Sequence, residues 1–142
     1  MISRPFFAIL ILLLVSVAGL KSAEAVCFTD VTSYTQVRAQ LPGFMQSGYL
    51  FAVHDDFVAK GAFRIVPEGN QFRADAAGRT VAGPFQGGGV LASVCVDGNT
   101  ITSTFSSGAS EAISYSGNSL YIRGFEFGVT DQATYQNLIN GL

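Results

Sequence analysis

Four places in the chain carry residue types and spacings that could do chemistry. His54-Asp55-Asp56 sets the single histidine beside two carboxylates, the ingredients of a metal site or a general base. Successive side chains of a strand point to opposite faces, so His54 and Asp56 would share a side and Asp55 would face away. Two ligands make a weak metal site, and a polar turn or exposed strand end between YLFAV and FVAKG is the simpler reading. Gly87-Gly88-Gly89 invites comparison with a phosphate loop, but such loops lead into a helix N-terminus and usually carry a lysine. VLASVCV follows instead and reads as strand, which leaves a flexible hairpin loop after Pro84-Phe85. Such a loop could lie as a lid over a barrel mouth or meet a partner.

Arg123 is the third candidate. In LYIRGFEFGV, strict alternation puts it in phase with Tyr121, Phe125, Phe127 and Val129, turning its guanidinium inward, where it could bind a ligand carboxylate. Leu120 and Ile122 are apolar as well, and a bulge at Gly124 would reverse the phase and turn Arg123 outward. The fourth place is the pair Cys27 and Cys95. An even cysteine count in an exported chain favours a disulfide, here closing a loop of 68 residues (95 − 27). Two buried thiols or a metal pair are the alternatives, although His54 stands at no familiar ligand spacing from either cysteine.

Nucleophilic catalysis finds less support. The serines of SSGAS and SGNS sit in turn sequences, and no Gly-x-Ser-x-Gly elbow occurs. Neither Asp55/Asp56 nor Glu68/Asp75 has a reason in the sequence to converge as a carboxylate pair. With so few acid–base groups the expectation is a protein that is not an enzyme, with no catalytic residue, no metal and no cofactor.

The elements that position these residues begin after a leader. Arg4, the apolar run Phe6 to Leu20 and Ala23-Glu24-Ala25 give the charge, hydrophobic stretch and small-residue cleavage pattern of a secretory signal peptide over residues 1–25. The run is shorter than the ~20 residues of a comfortable membrane span. A lipoprotein reading fails because Glu24-Ala25-Val26 precedes Cys27. The expected mature chain, residues 26–142, is one domain, secreted or periplasmic and not embedded in a membrane. Removing Arg4, Lys21 and Glu24 leaves six basic and nine acidic residues, a net charge of −3 with His54 neutral. The basic residues are scattered singly, which argues against a nucleic-acid partner.

Residues 29–41 read as a short helix, with Ser33 and Gln36 as a candidate capping box and Pro42-Gly43 as its stop. From Tyr49 to Val129 the hydrophobic period becomes two. PEGN, AAGR, QGGG, DGNT, SSGA and SGNS then punctuate short segments such as AFRIV, TVAGPF and TITSTF. Turns spaced about nine to eleven residues apart leave no room for crossover helices, so the chain reads as an antiparallel meander of about seven or eight strands. A solenoid lacks a repeated side-chain motif, and the strands are short for an outer-membrane barrel. TDQATYQNLINGL reads as a closing helix, capped by Thr130 or Asp131 and ended by Gly141.

The expected fold is thus mainly β, a barrel or strongly curved sheet with short N- and C-terminal helices. It resembles the calycin and lipocalin-like folds in architecture alone, because a chain without tryptophan cannot hold a Gly-x-Trp element. The function expected is that of a small exported binding protein. Phe51, Phe63, Phe72, Phe85 and Phe125 would line an apolar cavity, with Arg123 reaching in toward an apolar or amphipathic ligand. Two alternatives stand beside it. One is a protein-interaction module, such as an inhibitor of a secreted hydrolase or an envelope-associated structural protein. The other is a small hydrolase or metal enzyme using His54.

Overall fold

The computed structural model describes residues 24–142. The leader expected over residues 1–25 lies outside the described residues except for its last two. Alternating apolar and polar residues produce nine strands: β1 Val26–Phe28, β2 Leu50–Asp55, β3 Lys60–Glu68, β4 Gln71–Thr80, β5 Gly83–Asp97, β6 Thr100–Phe105, β7 Ser110–Ser116, β8 Ser119–Ile122 and β9 Phe125–Thr130. Among the described residues two α-helices, α1 Val31–Val37 and α2 Gln132–Asn140, flank the meander. Each of β2 to β9 pairs antiparallel with its chain neighbour, and β2 also pairs with β9, so eight strands close into a barrel.

Strand β5 is the longest because it serves two sets of neighbours. It pairs with β4 from Gly83 to Leu91 and with β6 from Leu91 to Asp97, the register shifting by a bulge between Leu91 and Ser93. The extra strand β1 lies along the second half, with Cys27 directly opposite Cys95, and these two cysteines form a disulfide. The stretch Gly83–Gly89 pairs with β4 alone, leaving the barrel open beside β6 at that end.

The pairing register sorts side chains cleanly. Ala52, Phe63, Ala76 and Gly87 form one inward row, and Leu50, Ile65, Ala74 and Gly89 form the next. Ile101, Ile113, Leu120 and Phe127 continue the interior on the far wall, all buried. Outward positions carry Arg64, Arg73, Asp75, Thr102 and Ser114. An apolar inside and polar outside is the reverse of a membrane-spanning barrel with a polar lumen.

The two barrel ends differ. At the closed end, Tyr34 of α1, Phe28 and Phe72 meet edge to face with ring centroids 5.2–5.4 Å apart, and Leu41 and Met45 are buried beside them. The phenol of Tyr34 donates to the Met45 carbonyl, giving this buried hydroxyl a partner. Helix α2 instead packs outside, its Tyr135 against Phe51 and Ala62 of β2 and β3. At the open end stand the β2–β3, β4–β5, β6–β7 and β8–β9 turns.

Several local expectations need correction. Gly78 and Gly87–Gly89 are strand residues rather than turns, and the β4–β5 turn falls on Val81-Ala82 inside the supposed strand TVAGPF. The cause at Gly78 is steric: a Cβ there would lie 2.4 Å from the Phe85 ring and from the Lys60 carbonyl oxygen. Glycine at 78 makes room for an aromatic on the next strand. LYIRGFEFGV is likewise two strands, joined by the Arg123-Gly124 turn with φ of 51° and 87°. Positive φ at both central positions is the hairpin geometry that matches strand twist.

The N-terminal capping box uses Asp30 rather than Ser33 as its cap. Asp30 Oδ1 accepts from the Ser33 backbone N–H at 2.7 Å, and Ser33 Oγ accepts from the Asp30 N–H at 3.1 Å. Asp131 caps α2 through the Thr134 N–H at 2.7 Å, and Asp56 accepts from Val58 and Ala59 N–H groups at 2.9 Å in the β2–β3 turn. Backbone N–H donors hold all three carboxyls below their ordinary value of 3.8. A depressed folded-state pKa gives stability that is whole above the unfolded value and disappears as pH falls through the folded one. Thermal melts should therefore decline below about pH 4, where these carboxyls begin to protonate. Asp131→Asn keeps a capping oxygen, and should flatten part of that acid decline while leaving the neutral-pH midpoint nearly unchanged.

Candidate functional site

The open end leads into a cavity of about 460 Å³ inside the barrel. It exists because one wall is built from small residues. Ala74 and Ala76 of β4 and Gly87 of β5 face inward, and a Cβ added at Gly87 would meet nothing within 4 Å. An eight-stranded barrel with large inward residues on every strand fills itself, so this small-residue wall decides that the upper interior stays open. Phe63, Phe85, Phe105, Ile113, Ile122, Phe125 and Phe127 supply the rest of the apolar lining.

Below the rim, the far wall of this interior carries two polar residues, Ser103 and Glu111, and the β6–β7 register sets them opposite each other. Ser103 is only 1% exposed, and its hydroxyl has no hydrogen-bond partner among the described residues. Such a group retains the desolvation cost of burial until something bonds to it. Glu111 is bound at the mouth by Arg123, whose Nη2 donates to Oε1 at 2.9 Å and whose Nε donates to Oε2 at 3.2 Å. This fork raises the guanidinium pKa above its ordinary value, hydrogen bonding to Glu111 being the larger cause.

The residues expected at the site divide. Phe63, Phe85, Phe125 and Arg123 all line the cavity. Phe51 points outward beneath α2, and Phe72 lies inside but in the aromatic plug at the closed end. Arg123 reaches the mouth from a tight turn, exposed and engaged by Glu111. Sequence reading passed over Ser103 and Glu111, though both carried a signal. Each is a polar residue in the apolar phase of its strand, Ile101-x-Ser103-x-Phe105 and Glu111-x-Ile113-x-Tyr115.

His54 also faces inward, at the rim, where its ring meets Phe125 edge to face with centroids 5.2 Å apart. Its Nδ1 lies 2.8 Å from the Glu126 carbonyl oxygen. Nε2 lies 2.8 Å from Asp56 Oδ2, at an angle that does not make a good hydrogen bond. Asp55 turns away and lies 3.8 Å from Lys60. The His54–Asp56 contact thus ties the β2–β3 turn to the mouth. Among the described residues no group of three or more His, Cys, Asp or Glu side chains is placed to hold a metal ion. The rim itself is apolar: Phe57, Val58, Val81, Phe85 and Phe125 are all exposed at this end.

A second, outer groove of about 270 Å³ runs between β4 and α2. There Asp75 bonds both Arg64 and Arg73, and the Arg64 guanidinium lies 5.8 Å from the centre of the Tyr135 ring. These interactions join the helix to the barrel wall.

The fold and cavity define a closed antiparallel β-barrel with a hollow, apolar upper half. Compared with known proteins, the chain matches no family model, no curated protein and no solved structure.

Proposed function

We propose that the protein is a small exported, non-enzymatic binding protein that holds one apolar or amphipathic molecule inside its barrel. The observation that carries this reading is the open cavity, apolar along its walls and entered through an apolar rim. Its volume falls within the range of small-molecule sites, about 300–1,000 Å³. Export is supported by the leader in the sequence and by the Cys27–Cys95 disulfide, a linkage favoured in oxidising compartments. Among the described residues no helix is long and apolar enough to cross a membrane. A titration with the neutral apolar dye Nile red tests the reading. Saturable fluorescence enhancement at one dye per protein is the expected result, and a non-saturating signal equal to that of the unfolded protein would defeat it.

A further inference from the structure

We infer that the ligand class is a neutral apolar molecule bearing a hydroxyl group, rather than a fatty acid or an amine; this rests on the binding reading above. The charge arrangement of the cavity wall leads there. Three lining residues are charged, and each is already paired: Asp75 with Arg64 and Arg73 on the outer face, and Glu111 with Arg123 at the mouth. An entering carboxylate would reach the remaining N–H groups of Arg123 only beside the Glu111 carboxylate, whose charge repels it and already neutralises the guanidinium. An entering ammonium would reach Glu111 only beside the Arg123 charge, which repels it in the same way. Either ion loses its hydration and meets no free countercharge, the circumstance in which burying a charge is unfavourable.

A hydroxyl meets no such obstacle. The Ser103 hydroxyl, 1% exposed and without a partner among the described residues, faces the cavity and can both donate and accept. Glu111, opposite it in register, keeps acceptor capacity beyond the two bonds from Arg123. A ligand hydroxyl placed between them gives Ser103 its missing bond and brings no charge with it. The small-residue wall at Ala74, Ala76 and Gly87 then receives the apolar body.

The test compares decanol, decanoate and decylammonium as competitors for bound Nile red on the whole protein at neutral pH. Decanol should displace the dye at least tenfold more effectively than either ion. Ser103→Ala should weaken decanol by about threefold to tenfold, the worth of one hydrogen bond, and leave the ions unchanged. Glu111→Gln frees the Arg123 charge and should raise decanoate affinity by about tenfold. Arg123→Asn frees the Glu111 charge and should favour decylammonium instead. It also creates an Asn-Gly pair suited to the turn, so the fold is retained even if Glu111→Gln is poorly folded. Decanoate binding as well as decanol to the unaltered protein, or selectivity that ignores both charge substitutions, would overturn the assignment. Failure of Nile red and all three competitors to bind would instead remove the binding reading itself.

Discussion

Replacing Cys27 and Cys95 together by serine should lower stability by about 4 kcal/mol, the chain-entropy cost of reopening a loop of 68 residues. For a domain of this size that is a fall in Tm on the order of 15 °C. The two cysteines face each other across the β1–β5 pair, so serines fit the same register and most of the loss arises in the unfolded chain. A second consequence is local. Strand β1 has three residues and adjoins the barrel only along β5, so without the cross-link it should fray and withdraw Phe28 from Tyr34 and Phe72. Urea unfolding of the oxidised protein and the double variant measures the first effect, and hydrogen exchange at residues 26–28 the second. A loss below about 1 kcal/mol would mean that β1 pairing, rather than the covalent link, holds the N-terminus.

Ala76→Phe should abolish ligand binding while leaving the barrel folded. Ala76 faces the cavity between Phe63 on β3 and Gly87 on β5, so a phenyl ring there enters space that is already open. Overpacking usually costs stability because neighbours must move; where a cavity receives the new atoms, added apolar burial offsets that strain. Nile red affinity should drop by at least tenfold, with the melting midpoint unchanged or raised. Undiminished dye binding in a folded Ala76→Phe protein would place the dye outside the barrel.

How much of this was legible beforehand depended on whether a residue's role was local. Gly69, Gly98, Gly108 and Gly117 all have positive φ in turns, so their spacing disclosed the meander directly. Gly78 looked the same in the sequence but serves the aromatic ring of Phe85, seven residues away and on the next strand. Gly87 and Gly89 are strand residues whose missing side chains help keep the wall thin. A glycine required for backbone conformation and one required for space are indistinguishable until the strands are paired.

The candidate site was legible to a similar degree. Of the five phenylalanines expected to line a cavity, Phe63, Phe85 and Phe125 meet at one, while Phe51 and Phe72, of the same residue type, belong to the α2 contact and the closed-end plug. Aromatic content alone does not say which level or face of a barrel a ring occupies. Arg123 drew attention for a strand phase it does not have, since the Arg123-Gly124 turn cuts that strand in two. Its partner Glu111 comes from a different hairpin, twelve residues earlier, and that pairing required the closed register of β7, β8 and β9.

The central claim is that the barrel interior, rather than its outer surface, is where a ligand resides. Two-dimensional NMR of the isotopically labelled protein during a decanol titration tests it most directly. Saturable shifts should appear together at the backbone amides of Ala74, Ala76, Ser103 and Ile113, while Ile139 on the outer face of the barrel stays still. Shifts confined to Arg64, Arg73, Tyr135 and Ile139 around the outer groove, or no saturable shifts at all, would contradict it.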